Sequence, residues 1–245
     1  MKLYYIILFL IFSSNLFAEN LRVALPDKDY PPFHFVSSEK KGILHDIITA
    51  FSKYSGVQVD YIFVPEMRSA KMLQRGDVDV RMESEAWFLG DGSYYWSQGI
   101  VMIEDVLVVT RGTELIDFKD LASLKGGVLL GRFGYVYPKY EQSVTNKVLH
   151  RENFYSDLEI LQSLYKDVDA SKRFTVMSRS VVSWYIQKYP ELAALSISDV
   201  NVGEAQLQLQ FSYNARGKKY AKEFNDFLQS LKDDGGLVKI IARYQ

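Results

Sequence analysis

Leu21-Arg22-Val23-Ala24-Leu25, followed by Asp29-Tyr30-Pro31-Pro32-Phe33-His34-Phe35, is the stretch on which the reading of the fold turns. The first five residues are apolar and β-prone, which predicts a strand. The next are a loop stiffened by two prolines and carrying three aromatic rings. Beyond it, Leu44, Ile47, Ile48 and Phe51 recur at i, i+3, i+4 and i+7, the spacing of an amphipathic helix. Gly56 is its stop signal. Val57 to Val64 reads as a second strand, Glu66 to Gln74 as a shorter helix ending at Gly76, and Val78 to Met82 as a third strand. Strand, helix, strand, helix, strand implies a mostly parallel sheet with helices on its faces.

The alternation continues toward the C-terminus. A second unit begins near Val106-Leu107-Val108-Val109, with a helix expected over Asp120 to Leu124 and a strand over Gly127 to Leu130. Ser156-Asp157-Leu158-Glu159 is a capping box opening a helix that runs through Leu164. Phe174 to Met177 reads as a strand, Val181 to Lys188 as a helix, and Gln206 to Tyr213 as a returning strand. Tyr220, Phe224, Phe227, Leu228 and Leu231 share one face of a long helix. Gly235-Gly236 breaks it before a last short helix from Leu237 to Tyr244. Two α/β units of roughly 100 residues fit ordinary domain sizes.

At the other end, Met1-Lys2 carry a positive charge, Leu3 to Ile11 are apolar, and Ser13-Ser14-Asn15 lead to a small residue at Ala18. A membrane span needs roughly 20 apolar residues, and this run is too short. The pattern predicts a secretory signal peptide over residues 1–18, cleaved near Ala18. Its loss removes one lysine and no acid, so the net charge moves from −1 to −2. That is not the basic footprint of a nucleic-acid binder. The chain has no cysteine, which excludes thiol catalysis, Cys-ligated metal and a lipid anchor built on a cysteine. A free protein in the periplasm of a two-membrane bacterium is expected.

Open α/β sheets bind ligands outside the carboxyl ends of their strands, so candidate site residues are sought there. Tyr30 and Phe33 offer an aromatic wall after the first strand; the same rings could instead fold into the core. Glu83-Ser84-Glu85-Ala86-Trp87 follows the third strand, and period-2 geometry predicts Glu83 and Glu85 on one side. They read as a paired acidic site or as a solvated loop. Gly131-Arg132-Phe133-Gly134-Tyr135 is a turn whose N–H groups could face an anion. Arg179 in Ser178-Arg179-Ser180 and Arg68 are further candidate donors, each also readable as a surface charge. His34, His45 and His150 have no metal-ligand spacing, and no nucleophile elbow, phosphate loop or zinc motif is present. No catalytic residue, metal or cofactor is expected.

At this point the chain resembles family 3 of the bacterial extracellular solute-binding proteins, the amino-acid-binding subunits of ABC importers. The resemblance rests on Leu21-Arg22-Val23, Tyr30-Pro31-Pro32-Phe33, Gly42 with Asp46, Leu73, and Gly76-Asp77-Val78-Asp79-Val80. It continues through Trp96-Ser97, Val106 to Val109, Asp120-Leu121 and Gly127 to Gly131. It closes on Phe211-Ser212-Tyr213, Phe224-Asn225, Leu228, Leu231, Asp234-Gly235-Gly236, Ile240-Ile241 and Tyr244. The family implies a type II periplasmic binding protein fold: α/β, two-lobed, each lobe a mixed, mostly parallel sheet flanked by helices, joined by two crossover strands. Lobe 1 would take residues 19–104 and 208–245, and lobe 2 residues 105–207. The resemblance also implies a monomer that closes on a small polar or charged solute and docks transiently to a membrane ABC permease, with no nucleic-acid partner. One departure stands out. The family's arginine after the third strand, which grips an α-carboxylate, has no counterpart before Trp96, and the acid expected after a lobe-2 strand is replaced by Ser178-Arg179-Ser180. Acids on one lobe and arginines on the other are the expected polarity. The alternatives are a dehydratase-like enzyme on the same scaffold and a ligand-sensing module docking to a membrane receptor.

Overall fold

The computed structural model describes residues 20–90, 92–113, 124–167, 172–199 and 201–244. The expected leader and residues 120–123 of the expected short helix lie outside them. Strands β1 (Leu21–Leu25), β2 (Val59–Phe63) and β3 (Val80–Glu83) are parallel, with β1 in the middle. Helices α1 (Ile43–Ser55) and α2 (Glu66–Arg75) make the crossovers that parallel pairing requires. A second parallel set places β6 (Val128–Arg132) between β7 (His150–Phe154) and β8 (Arg173–Ser178). Its helices are α3 (Pro138–Thr145), α4 (Asp157–Lys166) and α5 (Arg179–Lys188). The long C-terminal helix, α6 (Ala215–Asp233), and the short α7 (Gly236–Ile241) return to the first set.

Two nine-residue strands, β5 (Val101–Val109) and β10 (Gly203–Phe211), join the sets. The sheet order is β2-β1-β3-β10-β5-β8-β6-β7, with β4 (Tyr95–Trp96) on β10 and β9 (Ser196–Ile197) on β5. Each joining strand changes partner midway. β5 pairs antiparallel with β10 from Val101 to Asp105, then with β8 from Asp105 to Val109. β10 pairs with β5 up to Leu207 and with β3 from Gln208 onward. Asp105 therefore stands at the changeover, opposite Gly203 on one side and Ser178 on the other. This is the two-lobed α/β architecture with two crossover strands.

The first lobe's core forms because β1 and α1 turn their apolar stripes together. Leu21, Val23 and Leu25 pack with Leu44, Ile47, Ile48 and Phe51, and α6 adds Phe224, Phe227 and Leu228. Phe51 meets Phe224 edge-on at 5.3 Å, a geometry that aromatic quadrupoles favour. Truncating such a buried ring costs about 3–5 kcal/mol. Asp79 is fully buried where β3 begins and is clamped by Arg22 of β1 and Arg216 of α6 at 2.8 and 2.9 Å. Burial alone would raise its carboxyl, but the hydrogen bonds from Arg22 and Arg216 outweigh that and hold it below the usual range. Gly42 seats the aromatic loop on α1: its φ is 104°, and a Cβ there would lie 2.5 Å from the Phe33 carbonyl oxygen. In the second lobe the capping box forms as expected, Ser156 Oγ accepting from the Glu159 N–H.

Four local readings change. Helix α3 had no counterpart in the sequence reading, because Tyr140 is its one buried residue and no amphipathic stripe marks it. β7, His150-Arg151-Glu152-Asn153-Phe154, escaped sequence analysis because an edge strand with largely exposed charged side chains has no hydrophobic pattern. The final helix ends at Ile241, and Ala242–Tyr244 tightens into a 3-10 turn. The returning strand is Gly203–Phe211 rather than Gln206 to Tyr213.

Candidate functional site

A cavity of about 690 Å³ lies where the two lobes face each other, within the size range of small-molecule sites. Lobe 1 contributes Tyr30, Glu66, Met67, Arg81, Met82, Glu83 and Trp87. Lobe 2 contributes Tyr135, Tyr137, Tyr140, Asp157, Met177 and Ser178, and β5 contributes Asp105. The walls are mostly rings and methionines, with a few placed charges.

Those charges are largely satisfied within the protein. Arg81 is buried on β3. Its Nε donates to Gln210 Oε1 at 2.7 Å, its Nη1 to Ser69 Oγ at 3.1 Å, and its Nη2 to Glu83 Oε2. Glu66 Oε2 stands 3.5 Å from Nη1. Burial pushes the Glu66 carboxyl up, Arg81 pulls it down, and Glu83 raises it further. Across the cavity, Arg132 closes β6, and its Nη1 donates to Asp157 Oδ2 at 2.8 Å. The guanidinium also lies 4.8 Å from the Tyr135 ring centroid, a cation–π distance. Burial works against the Arg132 charge, but Tyr135, Asp157 and Glu66 together keep the guanidinium firmly protonated. Burial likewise pushes the Asp157 carboxyl up, and Arg132 opposes it.

Some polar atoms of the lining have no partner. Ser84 Oγ, Tyr135 Oη and Ser178 Oγ are buried and make no hydrogen bond. Asp105 is half-buried, and among the described residues no hydrogen bond or ion pair reaches its carboxylate. Burial pushes that carboxyl up to about 6. The lobes also touch across the crevice. Arg132 Nη1 donates to the Asp29 carbonyl at 3.3 Å, Tyr30 meets Tyr135 at 6.3 Å, and Phe35 meets Trp184 of α5 at 5.3 Å.

Of the residues expected at the site, Tyr30, Glu83, Trp87 and Tyr135 line the cavity. Phe33 is 1% exposed and packs behind Tyr30 at 5.1 Å, in the core. Arg132 sits beneath Tyr135 and is committed to Asp157. Glu85 is not beside Glu83: β3 ends at Glu83, and Glu85–Trp87 coil into a 3-10 turn that leaves Glu85 exposed. Period-2 geometry holds only within a strand, and within β3 it pairs Glu83 with Arg81. Arg68 is exposed on α2, outside the cavity lining. Arg179 turns away, donating to the Ser198 and Asp199 carbonyls and to Asn201. In the Gly131–Tyr135 turn two of the expected donors are already used, Phe133 N–H on Phe154 O and Tyr135 N–H on Arg132 O. Both lobes thus hold an arginine and its acids, so charge is not segregated by lobe. Ser178, from the expected donor cluster Ser178-Arg179-Ser180, does line the cavity, whereas Glu66, Arg81, Asp105, Tyr137, Tyr140, Asp157 and Met177 were missed. Only Arg81 left a signal, its i, i+2 spacing to Glu83.

No curated protein matches the chain. Its fold is similar to that of an ancestral arginine-binding protein bound to glutamine, at 23% identity and a TM-score of 0.72, covering 92% of this chain and 97% of that one. It is also similar to an amino acid ABC transporter substrate-binding protein from Streptococcus pneumoniae bound to L-arginine, at 16% identity, TM-score 0.71, and 92% and 94% coverage. A histidine kinase sensor domain with similarity to periplasmic binding proteins aligns at 17% identity, TM-score 0.75, and 92% and 96% coverage. At these identities the likeness carries the fold alone. A family model covers residues 21–245 from the first strand to the last residue, and on that match the chain belongs to the bacterial extracellular solute-binding proteins, family 3.

Proposed function

We propose that the protein captures a small polar or charged solute between lobe 1, residues 19–104 with 208–245, and lobe 2, residues 105–207, and hands it to a membrane ABC permease. It works as an exported periplasmic monomer, cleaved near Ala18, and turns nothing over. The observation that carries this reading is the cavity itself: its rings come from both lobes, and among the described residues the sheet passes from one lobe to the other through β5 and β10. A ligand filling it gains contacts on both sides only when the lobes close, which is what couples binding to hinge motion.

A thermal-shift screen of amino acids, amines, carboxylates, sugars and nucleosides tests the reading. A true ligand at 100 times its Kd stabilises the folded state by about 2.7 kcal/mol. Small-angle scattering at saturation should show compaction, and mass spectrometry should recover the solute unchanged. Conversion of the solute would instead favour the dehydratase-like alternative, and an unchanged radius of gyration would remove hinge closure.

A further inference from the structure

We propose that the solute carries an ammonium group held by Asp105 on the joining strand β5, so that the cavity selects an organic cation with an apolar body and has no grip on a free carboxylate. This rests on the solute-binding reading above and gives it a chemical class. Arg81 uses Nε, Nη1 and Nη2 on Gln210, Ser69 and Glu83. Arg132 faces Asp157 at 2.8 Å. Arg81 lines the cavity, so a carboxylate reaching it would have to displace Glu83 and strand that acid, while Arg132 is buried outside the lining. Lys71 and Lys139 lie exposed at the rim, where a charge contributes little.

Asp105 is different. Its carboxylate faces the cavity without a partner among the described residues. The changeover in β5 explains why it is open. One register neighbour is Gly203, which has no side chain to cover it. The other is Ser178, 4% exposed, whose Oγ has no hydrogen-bond partner. A carboxylate and an unused hydroxyl side by side match the donors of an ammonium. Rings flank the same spot. Tyr30 of one lobe and Tyr140 of the other line the same cavity as Asp105; burial pushes both hydroxyls up, with Asp157 and then Asp105 adding to it at Tyr30 and Asp105 adding to it at Tyr140. Ring faces attract a cation, and the rest of the cavity suits an apolar body. A cationic ligand would thus supply the charge that the protein leaves out.

The test is calorimetry on the purified protein with matched probes: phenethylamine, tryptamine and hexylamine, each against its alcohol and carboxylate analogue. The amine of at least one set should bind about thirty-fold or more tighter than its alcohol, the carboxylate weaker still, and Asp105→Asn should remove most of that preference. Ser178→Ala should weaken the amine about threefold. If Asp105→Asn does not fold, the amine-to-alcohol ratio on the unaltered protein decides alone. Carboxylates or alcohols binding as well as amines would overturn the cation assignment and leave solute binding standing. An amine whose affinity ignores Asp105→Asn would overturn the role of Asp105. If no probe binds but another solute in the wider screen does, the assignment falls by itself; if nothing binds in either, the solute-binding reading falls with it.

Discussion

Asp157 and Asp105 face one cavity, and burial raises both carboxyls, but the protein treats them oppositely. Asp157 opens α4 and sits 2.8 Å from Arg132, enclosed with it under Tyr135. Asp105 lies at the midpoint of β5, and among the described residues no cation stands opposite its charge. A buried carboxylate with an arginine is part of the architecture, because removing either member strands the other. A buried carboxylate without one is a standing cost to the unliganded fold, and such a cost is retained only where something else uses the charge.

The contrast can be broken most severely at Arg132. Arg132→Ala should destabilise the fold by about 3–5 kcal/mol in denaturant titrations, because Asp157 is left buried and unpaired. The double variant Arg132→Met with Asp157→Leu should recover most of that loss. If the single change is mild, the pair is more hydrated than its surroundings indicate. Asp105→Asn should move the other way, raising the stability of the unliganded protein by about 1 kcal/mol at pH 7.5. The sign follows from linkage. The folded carboxyl titrates at about 6 and the unfolded one at about 3.9. Between these values the folded state holds a proton that the unfolded state has lost. Stability attributable to Asp105 is therefore highest below the lower value and declines as pH rises through the upper one. Melts at pH 4.5 and 7.5 should show the Asn variant gaining at the higher pH only.

Smaller effects sharpen the boundary of the site. Arg179→Ala removes hydrogen bonds to the chain near Ser198 and Asp199 at a half-exposed position and should cost about 1 kcal/mol at most, with amine affinity unchanged. Glu85→Gln touches an exposed turn and should leave both stability and binding within about 0.5 kcal/mol of the parent. A larger binding effect at Glu85 would mean that the 3-10 turn after β3 reorganises on closure.

The fold was legible because its parallel strands are buried and its helices are amphipathic, so period and composition agree. It failed at β7, where the sheet edge is charged. The site was legible only where residues end or directly follow a strand: Tyr30, Glu83, Trp87, Tyr135 and Ser178. Glu66 and Asp157 sit in the first turn of helices, where an acid is expected for the helix dipole alone, so nothing marks them as cavity residues. Asp105 lies mid-strand, where alternation cannot tell a solvent-facing acid from one facing an internal cavity. Arg81 and Arg132 look like ligand grips by residue type. Their neighbours in space make them structural, and those neighbours are remote in sequence.

The contact between Phe35 and Trp184 bridges the crevice at 5.3 Å and involves an indole that Lys188 approaches to 4.7 Å. An indole's emission depends on the polarity and charge around it, so separating the lobes would change the light that Trp184 emits. Trp87 and Trp96 are both in lobe 1, so replacing each with Phe would leave Trp184 as the one tryptophan, at the seam between the lobes. The proposed closure would then be read optically, on the timescale of a stopped-flow mixer, with no attached dye.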